Sequence, residues 1–223
     1  MIPKIIWQTH EKKYDELFKF QKNIIGTWKN LNQGWDYRYV DSVERSVEVK
    51  KYSEILYSYY NLVDNFHKSD IWRLVALYNH GGFYADMDSV CNIPIDEILE
   101  TEYSGQELVC SPIGFQHTGI NSSNFGVVKN SEIIKSIIDS LLVQYSKMKT
   151  EDLKNLDFAF PENHTFSEIS KNNVDKIFFN KEYFSHSKDY KKVFNYDNHM
   201  ITLNGVKINY SSFCKDNNFL LYI

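Results

Sequence analysis

Cysteine, proline and glycine are all scarce in this 223-residue sequence. The three cysteines, Cys91, Cys110 and Cys214, are odd in number and include no close pair, which excludes a disulfide framework and a cysteine zinc site. Four prolines and nine glycines exclude collagen-like and linker-rich architectures. No apolar run approaches the roughly 18 residues of a membrane helix, and the first apolar run is too short for a signal peptide. We therefore expect a cytoplasmic protein whose membrane contact is at most peripheral, at the inner face of the membrane.

The charges of the sequence nearly balance, which excludes a strongly basic surface. Lys and Arg total 25, Asp and Glu total 29, and the formal net charge is −4. Nucleic-acid-binding domains are usually basic, so we expect no nucleic-acid partner. Only three cations are arginines: Arg38, Arg45 and Arg73. With 43% apolar residues, a chain of this length is expected to bury a core without cross-links.

The order of predicted strands and helices indicates an α/β fold. An apolar run at 2–8 and an alternating segment at 35–41 predict strands, with a helical pattern at 14–31 between them. Further helices are predicted at 53–63, 68–79 and 131–148, the last with the most regular apolar spacing. Further strands are predicted at 83–90, 107–111, 124–128, 177–179, 206–210 and 219–222. No internal repeat or break in composition divides the chain, which predicts a single domain.

Charged side chains stand within an otherwise apolar segment at residues 66–90. Asp70 and Arg73 are three residues apart on a predicted helix, so they lie on the same side of it. The helix pattern stops at two glycines, and a predicted strand then runs into Asp86 and Asp88. Alternation along a strand places both carboxylates on one face, where they repel each other unless a cation lies between them. Oxygen ligands of this kind suit Mn²⁺ or Mg²⁺, with a diphosphate completing the coordination.

This segment resembles the sugar-binding region of family-32 glycosyltransferases, which include yeast-type mannosyltransferases and bacterial capsule or lipopolysaccharide enzymes. The similarity rests on KSDIWR at 68–73, LY at 77–78 and GGFYADMD at 81–88. IPKIIWQ at 2–8 matches the usual start of the family, and Trp28 stands where a tryptophan often follows. The region is also similar to the catalytic domains of large clostridial glucosylating toxins. The resemblance implies a GT-A type, Rossmann-like fold over 1–223, with the donor-binding core at about 1–130 and acceptor-side and C-terminal elements at about 131–223.

The resemblance also implies roles for individual residues. Asp86 and Asp88 are implied to contact the metal and the donor sugar, with Asp88 the more direct metal ligand. The strand at residues 6–8 is implied to cradle the nucleotide base, with Trp7 a candidate stacking partner. The residues implied to bind the donor are Ile6, Trp7, Gln8, Asp70, Arg73, Tyr84, Asp86 and Asn124.

Towards the acceptor side and the C-terminal end, the resemblance is less complete. Asn121 or Asn124 is implied to bond the transferring hexose, and Asn121 is therefore included among the catalytic residues with the two aspartates. His199 is implied to be a third contact, to the metal or to the phosphate. The family commonly has a Ser-Trp pair after this histidine, whereas here Ser212 is followed by Phe213.

The implied function is metal-dependent, retaining transfer of a hexose from a nucleotide sugar. UDP-sugars are the preferred donors and GDP-mannose the alternative. The implied acceptor is a glycan or lipid-linked glycan of a bacterial surface polysaccharide, in keeping with the AT-rich bacterial genome that the lysine and asparagine usage indicates. A protein acceptor stays open as an alternative. Two alternatives of other classes stay open: a haloacid-dehalogenase-like phosphatase with Asp86 as nucleophile, and an inactive sugar-binding homologue.

Overall fold

The computed structural model describes residues 1–91, 93–100, 103–113, 119–156, 162–179, 200–203 and 206–209. Its main feature is a six-stranded mixed sheet in the order β2-β1-β3-β5-β4-β6. The strands are β1 (Ile5–Thr9), β2 (Asp36–Val40), β3 (Gly82–Ala85), β4 (Leu108–Ile113), β5 (Gly119–Val127) and β6 (Ile177–Phe179). β1 is parallel to β2 and β3, β5 is antiparallel to β3 and β4, and β6 is parallel to β4. A separate hairpin pairs β7 (Met200–Leu203) with β8 (Val206–Asn209).

Helices cover the sheet, and several begin at the side chains that cap them. The helices are α1 (Lys19–Leu31), α2 (Ser42–Tyr52), α3 (Glu54–Tyr60), α4 (Asn65–His80), α5 (Ile95–Glu100), α6 (Glu132–Ser146), α7 (Thr150–Leu153) and α8 (Glu162–Asn172). Asp41, Ser53, Asp64 and Ser131 each accept a hydrogen bond from a first-turn amide, which sets the starts of α2, α3, α4 and α6. In the described part of the chain, no helix combines the length and apolarity needed to cross a membrane.

The core lies on both faces of the sheet because neighbouring side chains of a strand point to opposite faces. Trp7 of β1 packs with Trp72 of α4 on one face. Ile6, the preceding residue, packs on the other face with Phe83 of β3 and Trp28 of α1. The sheet is therefore the middle layer between α1 and α4.

The connection from α4 to β3 places charged side chains beside the end of a strand. α4 ends where Gly81 and Gly82 adopt φ angles of 68° and 110°, which disfavour any residue with a Cβ atom. At Gly82 a Cβ would lie only 2.6 Å from the carbonyl oxygen of Ile5. The chain reverses here, so β3 runs back along α4 and ends beside Arg73.

The predicted α/β class is confirmed, and the main differences concern element ends and short helices. The strand predicted at 83–90 stops at Ala85, and the helix predicted from residue 14 begins at Lys19 after a short 3₁₀ turn. α2 is not predicted, because in it only Arg45 and Val49 are buried and no apolar stripe marks it. The strand predicted at 219–222 lies outside the described residues.

Candidate active site

The chain turns immediately after β3, and this turn carries Asp86 and Asp88. The amide of Asp86 donates to the carbonyl oxygen of Ser123 at 2.8 Å, and the amide of Ser89 donates to the carbonyl oxygen of Asp86 at 3.0 Å. The prediction that the two aspartates alternate along a strand is therefore wrong, because Asp88 lies at a corner of the turn. The two carboxylates nevertheless interact electrostatically, since the charge of Asp88 contributes to raising the pKa of Asp86.

The carboxylate of Asp86 is partly exposed, whereas Arg73 and Asp70 beside it are buried. Its Oδ1 accepts a hydrogen bond from the Tyr84 hydroxyl at 2.7 Å and lies 3.4 Å from Nη1 of Arg73. Burial, together with the charge of Asp88, raises the pKa of Asp86 to about 6, although Arg73 acts in the opposite direction. A carboxylate with this pKa is still mostly ionised at neutral pH, and a nearby cation would stabilise its charged form.

Arg73 joins three elements at this end of the sheet. It is 3% exposed and forms an ion pair with Asp70, one turn earlier on α4. Its Nη1 also donates to the carbonyl oxygen of Ser122 on β5 at 2.5 Å. The centre of its guanidinium group lies 4.7 Å from the centre of the Tyr84 ring. The structure thus brings together four of the predicted residues, Asp70, Arg73, Tyr84 and Asp86.

The three predicted residues of β1 have different surroundings. Gln8 is fully buried, donates through Nε2 to the carbonyl oxygen of Asp86 at 3.1 Å, and accepts from the Tyr37 hydroxyl at 2.9 Å. Trp7 is 4% exposed and donates its indole N–H to the carbonyl oxygen of Gly81 at 2.9 Å. Ile6 is fully buried in the core. Gln8 is therefore the β1 side chain that contacts the aspartate turn.

The remaining predicted residues are described to different extents. Asn124 is fully buried on β5 and donates through Nδ2 to Oγ of Ser89 at 3.1 Å, so its observed partner belongs to the aspartate turn. Asn121 lies on the same strand, and its side chain is outside the described part of the structure. His199, Ser212 and Phe213 also lie outside the described residues.

A second buried arginine stands near the site and was not predicted. Arg45 of α2 is fully buried and forms an ion pair with Glu11, which follows β1. Its positive charge acts to lower the pKa values of His10 and Tyr84. Burial, together with this charge and that of Lys12, lowers the pKa of His10 to about 4. The sequence does contain a signal for α2, because Asp41 and Glu44 form a capping box at its start.

The carboxylates suit a divalent cation that arrives with its own oxygen ligands. Among the described residues, no group of three or more His, Cys, Asp or Glu side chains is placed to hold a metal ion. Mg²⁺ sites typically use one or two carboxylates and take phosphate and water oxygens for the rest. Asp86 and Asp88 fit this arrangement, in which a diphosphate supplies the missing ligands.

A family model described as the glycosyltransferase sugar-binding region containing a DXD motif matches residues 19–104. This part of the chain is therefore similar to a glycosyltransferase sugar-binding region. Its DXD motif is Asp86-Met87-Asp88, at the turn after β3. The matched range also includes Asp70 and Arg73, so the four charged residues selected from the sequence lie within it. The resemblance to family-32 glycosyltransferases is confirmed.

Two yeast proteins are similar in sequence to this chain. Inositol phosphoceramide mannosyltransferase 3 of Schizosaccharomyces pombe is 28% identical over 144 residues, which cover 63% of this chain and 37% of that protein. Putative glycosyltransferase HOC1 of Saccharomyces cerevisiae is 32% identical over 110 residues, covering 48% of this chain and 27% of that protein. The matched regions thus span only about a third of these curated relatives.

The fold of this chain is similar to that of a solved glycosyltransferase. The PaToxG glycosyltransferase superimposes with a TM-score of 0.53 over 78% of this chain and 70% of that chain, at 14% sequence identity. At this identity the similarity concerns the fold alone. The expected GT-A type fold is confirmed.

Proposed function

We propose that this chain is a metal-dependent glycosyltransferase that retains the configuration of the hexose it transfers from a UDP-sugar. The acceptor in this proposal is a glycan or a lipid-linked glycan in bacterial surface-polysaccharide synthesis. The observation that carries the proposal is the cluster that Asp70 and Arg73 form with Asp86, the first residue of the DXD turn. This cluster lies at the carboxyl end of β3, and ligands of open α/β sheets bind at the carboxyl ends of strands.

A GDP-mannose donor is the second candidate. One relative, from Schizosaccharomyces pombe, is named a mannosyltransferase, and its matched region covers 63% of this chain. The DXD turn and the Asp70–Arg73 pair serve either nucleotide equally, because a metal–diphosphate and sugar hydroxyls are common to both donors. The two candidates therefore differ in the nucleoside and the sugar, and a panel of donors separates them.

In the proposed reaction, a nucleoside diphosphate leaves the anomeric carbon of the donor sugar. Asp88 and Asp86 would hold a divalent ion, which when bound would neutralise the charge that develops on this leaving group. In this proposal Asp70 and Arg73 bind ribose and sugar hydroxyls, and their mutual ion pair orients both side chains before the donor arrives. Because no side chain of the described site stands out as a covalent nucleophile, we propose attack of the acceptor hydroxyl on the same face from which the diphosphate departs.

The test is a thermal-denaturation panel of UDP- and GDP-sugars, each with and without Mn²⁺. A ligand at 100 times its Kd stabilises a protein by roughly 2.7 kcal/mol, which is a shift of about 5–11 °C for a domain of this size. We expect such a shift for one donor class, only with Mn²⁺, and its loss in Asp88→Asn. Asp139→Asn is the matched control, since it removes an exposed carboxylate on α6 that pairs with Lys135.

Glycosyl transfer, phosphatase activity and an inactive homologue can be distinguished by their products. Transfer requires nucleoside diphosphate release together with a new glycoside. Phosphate release from simple phosphoesters without sugar transfer would instead support the phosphatase alternative, and donor binding without hydrolysis or transfer would support an inactive homologue. The absence of a metal-dependent shift for every donor would refute the proposed function.

A further inference from the structure

The DXD turn is anchored at Asp86, its first residue, and at Met87. The amide of Asp86 is bonded to the carbonyl oxygen of Ser123, and the carbonyl oxygen of Asp86 accepts from Gln8. Met87, the first of the two central residues of the turn, is 2% exposed and packs in the hydrophobic cluster that contains Ile25 of α1. The turn therefore has little freedom between Asp86 and Met87, and the order of Asp88 depends on how the next residue is held.

Ser89, the residue directly after Asp88, is held from two sides. The indole N–H of Trp28 on α1 donates to the carbonyl oxygen of Ser89 at 2.7 Å. The side-chain amide of Asn124 on β5 donates to Oγ of Ser89 at 3.1 Å. All three residues are fully buried, so water does not compete for these hydrogen bonds.

We infer that Trp28, Ser89 and Asn124 form a clamp that fixes the DXD turn so that Asp88 is ordered before the metal binds. This inference rests on the proposed function and assigns the three residues as positioning residues, which act through Asp88. A metal ligand on an already ordered backbone loses less conformational entropy when it binds. Asn124 then contributes through Ser89, whereas the resemblance implies a direct bond to the sugar.

The four tryptophans of the chain provide matched variants for this inference. Each indole N–H donates one hydrogen bond, and the acceptors are Gly81 for Trp7, Ser89 for Trp28, Asp96 for Trp35 and Glu48 for Trp72. Replacement by phenylalanine removes the N–H and keeps an aromatic ring. Among these acceptors only Ser89 belongs to the DXD turn. Trp35→Phe, which removes a hydrogen bond to the partly exposed carboxylate of Asp96, is therefore the control for loss of an indole hydrogen bond elsewhere.

The experiment measures Mn²⁺ binding without turnover. Free Mn²⁺ is titrated by electron paramagnetic resonance in the presence of saturating UDP and, in a parallel series, saturating GDP. The proteins are wild type, Trp28→Phe, Ser89→Ala and Trp35→Phe, and their melting temperatures without ligand are recorded. Both Trp28→Phe and Trp35→Phe are expected to lower the melting temperature, Trp28→Phe by more because its hydrogen bond is buried. Only Trp28→Phe and Ser89→Ala are expected to weaken Mn²⁺ binding, by about five- to tenfold, the factor typical of one hydrogen bond.

Two results would overturn the clamp while leaving the proposed function intact. One is wild-type Mn²⁺ affinity in both Trp28→Phe and Ser89→Ala. The other is an equal loss of affinity in Trp35→Phe, which would show that the affinity simply follows stability. If the wild type binds no Mn²⁺ with either nucleotide, the proposed function fails and the clamp fails with it.

Discussion

Replacing Asp86 with asparagine is expected to stabilise the metal-free protein at neutral pH and to abolish metal-dependent donor binding. Burial and the charge of Asp88 raise the pKa of Asp86 from 3.8 to about 6. At about 1.4 kcal/mol per pKa unit, the ionised carboxylate destabilises the fold by at most about 3 kcal/mol. Because the Asp86 side chain is 20% exposed, water screens part of this effect. We therefore expect a gain of about 1–2 kcal/mol from Asp86→Asn, whose amide oxygen still accepts from Tyr84.

The gain in the free energy of unfolding that Asp86→Asn brings increases with pH. The pKa of Asp86 is higher in the folded state, so the folded protein binds more protons than the unfolded protein between about pH 4 and pH 6. The free energy of unfolding of the wild type therefore falls, through this group, as the pH rises across that window. The asparagine variant lacks this titration, so its advantage is smallest near pH 4 and complete above about pH 6.

The assay is urea unfolding of wild type and Asp86→Asn in a chelator, between pH 4 and pH 8. Asp70→Asn is the control with the opposite sign, because it removes the ion-pair partner of Arg73, which is 3% exposed. At pH 7.5 we expect the free energy of unfolding of Asp86→Asn to exceed that of the wild type by about 1–2 kcal/mol, which corresponds to a melting temperature about 2–8 °C higher. An Asp86→Asn protein that is less stable than the wild type at this pH, or whose advantage does not change with pH, would refute the reasoning.

Two further predictions compare matched pairs of variants. Arg73→Lys should lower the free energy of unfolding by about 1–3 kcal/mol and weaken donor binding, because an ammonium group cannot replace a guanidinium that bonds α4 and β5 at once. Arg38→Lys, at an exposed ion pair, should stay within about 0.5 kcal/mol of the wild type, and equal losses in urea unfolding would contradict this account. Gly82→Ala should cost about 2 kcal/mol or more because its Cβ would meet the Ile5 carbonyl oxygen, whereas Gly26→Ala, in open space on α1, should gain up to about 1 kcal/mol. Melting temperatures that move in the same direction for both glycine variants would be the contrary result.

Local interactions are the part of this protein that its sequence determines directly. Ser131 and the apolar spacing after it predict α6, and two glycines predict the end of α4, because caps and positive φ angles involve only neighbouring residues. The placement of Asp70 and Arg73 on one side of a helix follows from the same short-range geometry. The DXD motif is a three-residue pattern, and the resemblance of its surroundings to a glycosyltransferase sugar-binding region can be recognised from the sequence.

Contacts between distant segments decide the rest of the site. Asp86 leaves the strand because the chain turns there, with its amide bonded to Ser123 of β5, a strand much later in the chain, so alternation does not extend to Asp88. Asn124 reaches Ser89 only because β5 pairs with β3, and Trp28 reaches it only because α1 covers that face of the sheet. Such partners leave no periodic signal in the sequence. The DXD motif and its charged neighbours could therefore be found from the sequence, whereas the residues that hold the turn in place are decided by the tertiary structure.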